Sequence, residues 1–426
     1  MTTANTAKRR SWAWLAGGLL ALACGDSSGD GDGSTGVAST GTTMGTTGPS
    51  TPDPDSTTGS STLPGTTIDP PGTESSSSDS SSGPIDPPEG EFWVFVTADQ
   101  RVSTWSMDPA SGALTFEREL MIGASVGPLA VHPDLSTLYV GVNGNNEARA
   151  YAIDPVTAEL SPQGQVDLGW TPVYLAIDRS GGYLMSASFG NDEMVIFPLG
   201  NDGSLGGPEL QRIGTNEEPH SILVDQSNAW VLVPHRTPDV VAQYAFDAAT
   251  GTVSPNGMPE VDANPGAGPR HLVFHPDGHY AYVSDEFSDS VSTYAFDGAT
   301  GQLTLLDTVD TLPGDFNGDD NTCADVHVTP DGRFVYVSNR GHDSLAMFEV
   351  DPDTGLLTSL GQVATEPRPR EFEVSPRGRY VYAAGQDSGM MASYTVDEAT
   401  GMLTAGPVYE VGADPRWVLA IELPAR

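Results

Sequence analysis

Titratable side chains recur in this chain at one kind of place, a short turn that leads into an apolar strand. The segments are Glu218-Pro219-His220, Gly268-Pro269-Arg270-His271, Cys323-Ala324-Asp325-Val326-His327, Arg368-Pro369-Arg370 and Asp414-Pro415-Arg416. Two further turns of the same kind, Gly127-Pro128-Leu129 and Thr171-Pro172-Val173, carry no such group, so the polar starts belong to the later part of the chain. Imidazole and carboxylate groups move protons. Guanidinium groups hold carboxylate or phosphate through two parallel hydrogen bonds and stabilise a developing oxyanion. Lys8 is the only lysine and lies in the N-terminal leader, which excludes Schiff-base and lysine-nucleophile chemistry from the remainder.

Two other motifs are set aside. Gly123-Ala124-Ser125-Val126-Gly127 matches the Gly-x-Ser-x-Gly nucleophile pattern, but that elbow works at a strand-to-helix turn, and this copy falls between two strand patterns. The stretch from Asp315 to Asn321 resembles a calcium loop without the closing bidentate glutamate of the twelve-residue arrangement. It reads as a solvated loop.

The elements that must position these side chains repeat along the sequence. Each copy has an apolar strand, a turn such as Pro276-Asp277-Gly278, a second apolar strand, a short loop, a third strand closed by an aromatic, and then Asp and Thr-Gly. The closing aromatics are Trp105, Tyr151, Phe197, Tyr244, Tyr294, Phe348 and Tyr394, with successive spacings of 46, 46, 47, 50, 54 and 46 residues. A four-stranded propeller blade occupies roughly 40–50 residues. The pattern therefore predicts an all-β fold, a seven-bladed β-propeller of four-stranded blades over residues 91–426, with no long helix.

The first copy lacks its opening strand, whereas the chain ends on an extra one, Arg416 to Glu422. The C-terminal strand is expected to complete the blade that begins at Phe92-Trp93-Val94-Phe95-Val96. Such closure removes the free sheet edges that invite aggregation.

Ahead of the repeats, Lys8, Arg9 and Arg10 precede an uncharged apolar run from Ser11 to Ala23, followed by Cys24. A run this short does not span a bilayer, which takes roughly 20 residues; it reads as a secretory signal at 1–23. Leu20-Ala21-Leu22-Ala23-Cys24 resembles a bacterial lipobox, which implies lipid attachment at Cys24. Residues 24–90 are Ser, Thr, Gly, Pro and Asp with little apolar content, a disordered stalk. The expected location is extracytoplasmic, on a bacterial membrane through the lipid anchor alone. Cys323 is the only other cysteine, so no intramolecular disulfide is expected once Cys24 is acylated. A formal charge of −39 repels phosphate backbones, which excludes nucleic acid as a partner.

From Gly268-Pro269-Arg270-His271 through Glu286, and again from Ala324-Asp325 through Asn339-Arg340-Gly341-His342-Asp343, the sequence resembles the lactonase family of seven-bladed propellers. That family includes bacterial 6-phosphogluconolactonases and fungal carboxy-muconate cyclases. The resemblance covers roughly residues 92 to 424 and implies a catalytic set of His220, Arg270, Glu286 and Arg340. It implies substrate-binding contributions from His271, Asp325 and Arg370. It also implies a small anionic lactone or sugar-derived substrate, with neither cofactor nor metal, and a chain able to work as a monomer. Two departures stand out: His235-Arg236 replaces a pair that is commonly acidic, and Glu371 stands where histidine is common.

In the implied chemistry water opens a lactone. Glu286 or His220 takes the proton, a second of these groups protonates the leaving alkoxide, and Arg270 and Arg340 stabilise the oxyanion and clamp an anionic group. Acid and base stay unassigned at this level. Each residue also has a structural reading, with Glu286 paired to Arg270 and Arg340 paired to Asp343 or Asp325. Two further functions fit the same sequence: a non-catalytic surface propeller that binds a glycan or protein, and a cycloisomerase like the fungal relatives. Export argues against a role on cytoplasmic 6-phosphogluconolactone itself.

Overall fold

The computed structural model describes residues 90–318 and 320–425; the expected signal segment, Cys24 and the stalk lie outside them. Among the described residues 28 strands form seven antiparallel four-stranded sheets, and no helix occurs. The first strands of the sheets stand side by side around a central channel. They are β4 (Leu129–Val131), β8 (Tyr174–Ile177), β12 (Leu223–Val224), β16 (Pro269–Phe274), β20 (Thr322–Val328), β24 (Pro369–Val374) and β28 (Trp417–Leu423).

The closing strand is the C-terminal one. β28 pairs antiparallel with β1 (Glu91–Ala98), from Glu91 opposite Leu423 to Thr97 opposite Trp417, and becomes the channel strand of the first blade. Val418, Ile421 and Leu423 are buried there. The seven closing aromatics all lie on third strands and are buried as well.

A tyrosine on the second strand of a blade and a turn glycine in the next lock neighbouring blades together. The hydroxyls of Tyr139, Tyr282, Tyr336 and Tyr382 donate to the carbonyls of Gly203, Gly355, Gly401 and Gly112, each in the next blade, at 2.8, 3.0, 2.9 and 2.7 Å. Buried phenols need such partners. Gly401 has φ +70°, and an added Cβ would stand 2.2 Å from the Phe334 ring, so only glycine both accepts the turn and lets the ring lie on the backbone.

Candidate active site

The polar starts converge at one end of the channel because of strand register. Pro269 pairs with Asp285, the last residue of β17 (Tyr280–Asp285), which brings Glu286 beside the start of β16. By the same register Arg236 follows β13 (Trp230–His235) and Arg340 ends β21 (Phe334–Arg340), opposite Thr322. These three residues thus occupy one structural position in three successive blades. On the channel strands His271, Asp325 and Glu371 likewise share a position, opposite Ser284, next to Ser338 and opposite Ala384.

Glu286 is the hub of the first set. Its Oε2 accepts from Arg236 Nη1 at 2.7 Å and lies 3.6 Å from Arg270 Nε, while Oε1 accepts from Arg340 Nη2 at 2.7 Å. Burial by itself would raise its pKa. The guanidiniums of Arg270, Arg340 and Arg236 outweigh that and hold it at about 2. Both Glu286 oxygens are taken up by guanidinium groups, which argues against it as the base and leaves His220 of the two assignments open in the sequence. Arg340 pairs with Glu286 and with the Cys323 carbonyl at 3.0 Å, in place of Asp343 or Asp325.

Arg270 is 0% exposed, and its Nη1 donates to the Ala324 carbonyl at 2.7 Å. In this structure Arg270 is committed to protein partners. Its guanidinium lies between two carboxyl groups, with Nε 3.6 Å from Glu286 Oε2 and Nη2 3.5 Å from Glu371 Oε1. Arg370 is the guanidinium left uncommitted. Its side chain is 22% exposed and makes no hydrogen bond among the described residues; its one ion-pair contact is a 4.0 Å approach of Nε to Glu371. Burial, reinforced by the neighbouring charge of Arg270, lowers its pKa to about 9, so it keeps its charge at neutral pH.

A second cluster sits on the channel strands. Asp325 Oδ1 accepts from His271 Nδ1 at 2.8 Å and from the Val326 amide at 3.0 Å; Oδ2 accepts from His327 Nε2 at 3.0 Å and from the Phe372 amide at 3.3 Å. Despite burial, His327 and His271 keep Asp325 ionised, far below its ordinary range, and Asp325 in turn raises His327 to about 9. Glu371 behaves oppositely. Burial and the adjacent Asp325 charge push its pKa well above the usual carboxylate range, so it carries a proton. His271 is held neutral, at about 3, by burial and by Arg270. His220, whose ring centre is 5.2 Å from that of His271, is likewise held neutral by burial and Arg270.

His271 Nδ1 and carboxylate oxygens of Asp325 and Glu371 fall within 4.8 Å of one another, a spacing open to a metal ion. The donor set argues against one. Each Asp325 oxygen already takes two donors, and Arg270 and Arg370 stand against Glu371. The trio fits a shared proton better than a cation.

Arg236 and Glu371 are the functional-site residues that sequence reasoning missed, since both were met only as departures from the family pattern. The available signal was the repeat itself: Arg236, Glu286 and Arg340 are 50 and 54 residues apart, one blade each. Phe189 and Phe287 stack on Arg236 at 4.6 and 4.9 Å and complete the channel rim. Asn321, directly before β20, donates from Nδ2 to Asp289 Oδ1 at 2.8 Å.

Comparison with known proteins identifies the family and agrees with the fold. The family model described as lactonase, 7-bladed beta-propeller matches residues 94–420. The chain belongs to this lactonase family. Among its relatives, the 6-phosphogluconolactonase of Serratia proteamaculans is 36% identical over 280 residues, which cover 66% of this chain and 83% of the relative. That of Pectobacterium carotovorum is 35% identical over the same shares. Among solved structures, the periplasmic gluconolactonase of Pseudomonas aeruginosa superposes with a TM-score of 0.73 at 28% identity, covering 78% of this chain and all of that one.

Proposed function

We propose that this lactonase-family propeller hydrolyses a sugar lactone that carries an anionic group, at the channel end lined by His220, His271, Arg340 and Arg370. The observation that carries the reading is an excess of guanidinium charge in a protein whose formal charge is −39. Arg236, Arg270 and Arg340 surround Glu286, Glu218 adds a second carboxylate beside Arg236, and the Arg370 guanidinium, with only a 4.0 Å approach to Glu371, is free to take two oxygens of a phosphate or carboxylate. Arg340 Nη1 has no hydrogen-bond partner among the described residues and can take the carbonyl oxygen as it becomes an oxyanion. The neutral imidazoles of His220 and His271, 5.2 Å apart between ring centres, are the groups that can move the proton.

The sequence further supports work outside the cytoplasm on a lipid anchor at Cys24, and a structurally similar protein is a periplasmic gluconolactonase. An exported enzyme of this kind acts on lactones met outside the cytoplasm. Incorporation of labelled fatty acid into the wild type, lost in Cys24→Ala, tests the anchor.

The function is tested by following hydrolysis of 6-phosphoglucono-δ-lactone, glucono-δ-lactone and an aldarolactone by the full-length protein, against spontaneous opening. Acceleration strongest on the anionic lactones is the expected result. Rates equal to spontaneous opening on every lactone would remove the hydrolase reading in favour of a binding propeller.

A further inference from the structure

Two fully buried imidazole nitrogens in the site have no partner among the described residues: Nδ1 of His220 and Nε2 of His271. They belong to neighbouring rings on adjoining blades, 5.2 Å between centres and tilted by 56°. An N–H···N bond of about 2.9 Å between two imidazoles brings their centres to roughly 5 Å, so the rings already stand at a separation at which these two nitrogens can satisfy each other once they turn to face. A buried polar atom left without a partner costs about 1–3 kcal/mol, which favours that rotation.

The tautomers follow from the fixed end of the chain. Asp325 is ionised and accepts from His271 Nδ1, so neutral His271 carries its proton there and offers a lone pair at Nε2. His220 then donates from Nδ1, and its Nε2 is left bare, without a hydrogen-bond partner among the described residues. Glu371, protonated and 3.7 Å from His271 Nδ1, adds no competing negative charge.

We infer that Asp325, His271 and His220 form a linear relay, in which His220 Nε2 is the base for the attacking water and His271 is the positioning residue that ties it to Asp325. The inference rests on the hydrolase reading. The water oxygen bonds to the lactone carbonyl carbon, its proton goes to His220 Nε2, and the carbonyl π pair moves to oxygen beside Arg340. Collapse re-forms the carbonyl and breaks the ring C–O bond, and the alkoxide takes the proton back from His220. Water and lactone are consumed, and one hydroxy acid is formed. The relay stabilises the transient His220 imidazolium as a buried carboxylate does for any histidine base.

The groups that face the relay are Arg270 on β16, Asp325 and His327 on β20, Arg370 and Glu371 on β24, Arg236 after β13 and Tyr174 on β8. Burial, and after it the arginines, keeps both imidazoles neutral; Asp325 alone among the carboxylates touches them within hydrogen-bond range.

The test combines kinetics with a readout that needs no substrate. In the full-length protein, His271→Phe keeps an aromatic ring against Tyr174 and Trp417 and breaks the relay, while Asp325→Asn removes the negative charge at its fixed end. Both are expected to lower kcat about 100-fold on the best lactone with KM within a few-fold. Nitrogen-15 spectra of histidine-labelled wild type are expected to show neutral His220 protonated at Nδ1, changing to Nε2 in His271→Phe. A folded His271→Phe protein with wild-type kcat, or His220 protonated at Nε2 in the wild type, overturns the relay. A wild type that accelerates no lactone overturns the hydrolase reading instead, and the histidine spectra still decide the relay.

Discussion

Arg236 Nη1 donates to Glu286 Oε2 at 2.7 Å, and the two residues occupy the same place in adjoining blades, 50 residues apart. Arg340 occupies that place in the next blade and takes the other oxygen of Glu286. Three blades thus present positive, negative and positive charge in turn around the channel, and Glu218 holds the outer edge of Arg236 at 3.2 Å. The blades fix these side chains to backbone that cannot shift independently, which is how a propeller preorganises charge.

Replacement of Glu286 by Gln leaves Arg236, Arg270 and Arg340 without their shared counter-ion. Loss of one partner from a buried pair costs about 3–5 kcal/mol, so a large drop in melting temperature is expected at neutral pH. Because its folded pKa of about 2 lies below the ordinary 4.5, the Glu286 contribution is complete above about pH 4.5 and is lost as pH falls towards 2. Melting curves across that window should slope in the wild type and flatten in Glu286→Gln.

Arg370→Ala should act on substrate charge more than on the fold, since Arg370 makes no hydrogen bond that its removal would break. A charge-assisted hydrogen bond contributes about 1.5–3 kcal/mol, so KM for an anionic lactone should rise roughly 10- to 100-fold while KM for a neutral lactone stays within a factor of about three. Equal effects on both would place Arg370 outside the anion site.

Asp285 lies next to Glu286 but is sealed from solvent, with Oδ2 accepting from Ser292 at 2.6 Å and Ser290 at 3.2 Å and Oδ1 lacking any partner among the described residues. Burial raises its pKa to about 7. A raised folded pKa gives stability that is complete below the ordinary 3.8 and lost as pH rises through 7. Asp285→Asn keeps an acceptor for both serines and cannot ionise; at pH 8 it should melt above the wild type by the equivalent of roughly 2–4 kcal/mol. The two proteins should converge near pH 4.

Deletion of residues 417–426 removes the channel strand of the first blade. Val418, Ile421 and Leu423 each bury a side chain worth about 1.5–3 kcal/mol, a sum comparable to the whole stability of a domain. The truncated chain should lose its cooperative melt and elute as aggregate on size exclusion, because β1 becomes an open edge.

The sequence by itself determined the architecture. Blade number, the closing aromatics and the use of the C-terminal strand all follow from local patterns repeated at a fixed interval, and register within each blade is set by alternation and Pro-Asp-Gly turns. It also supplied most of the site, because His220, His271, Asp325, Glu286, Arg340 and Arg370 all stand at the same end of their blades. The division of labour among them was decided only by the tertiary structure. Whether an arginine clamps substrate or a carboxylate depends on which neighbours reach it from other blades: Arg270 is walled in, Arg370 is free, and Arg236 turns Glu286 from a candidate base into a counter-ion. Protonation follows the same rule. Asp325 with four donors stays ionised and Glu371 beside it does not, a difference set by contacts between residues about 50 and 100 positions apart that no local pattern contains.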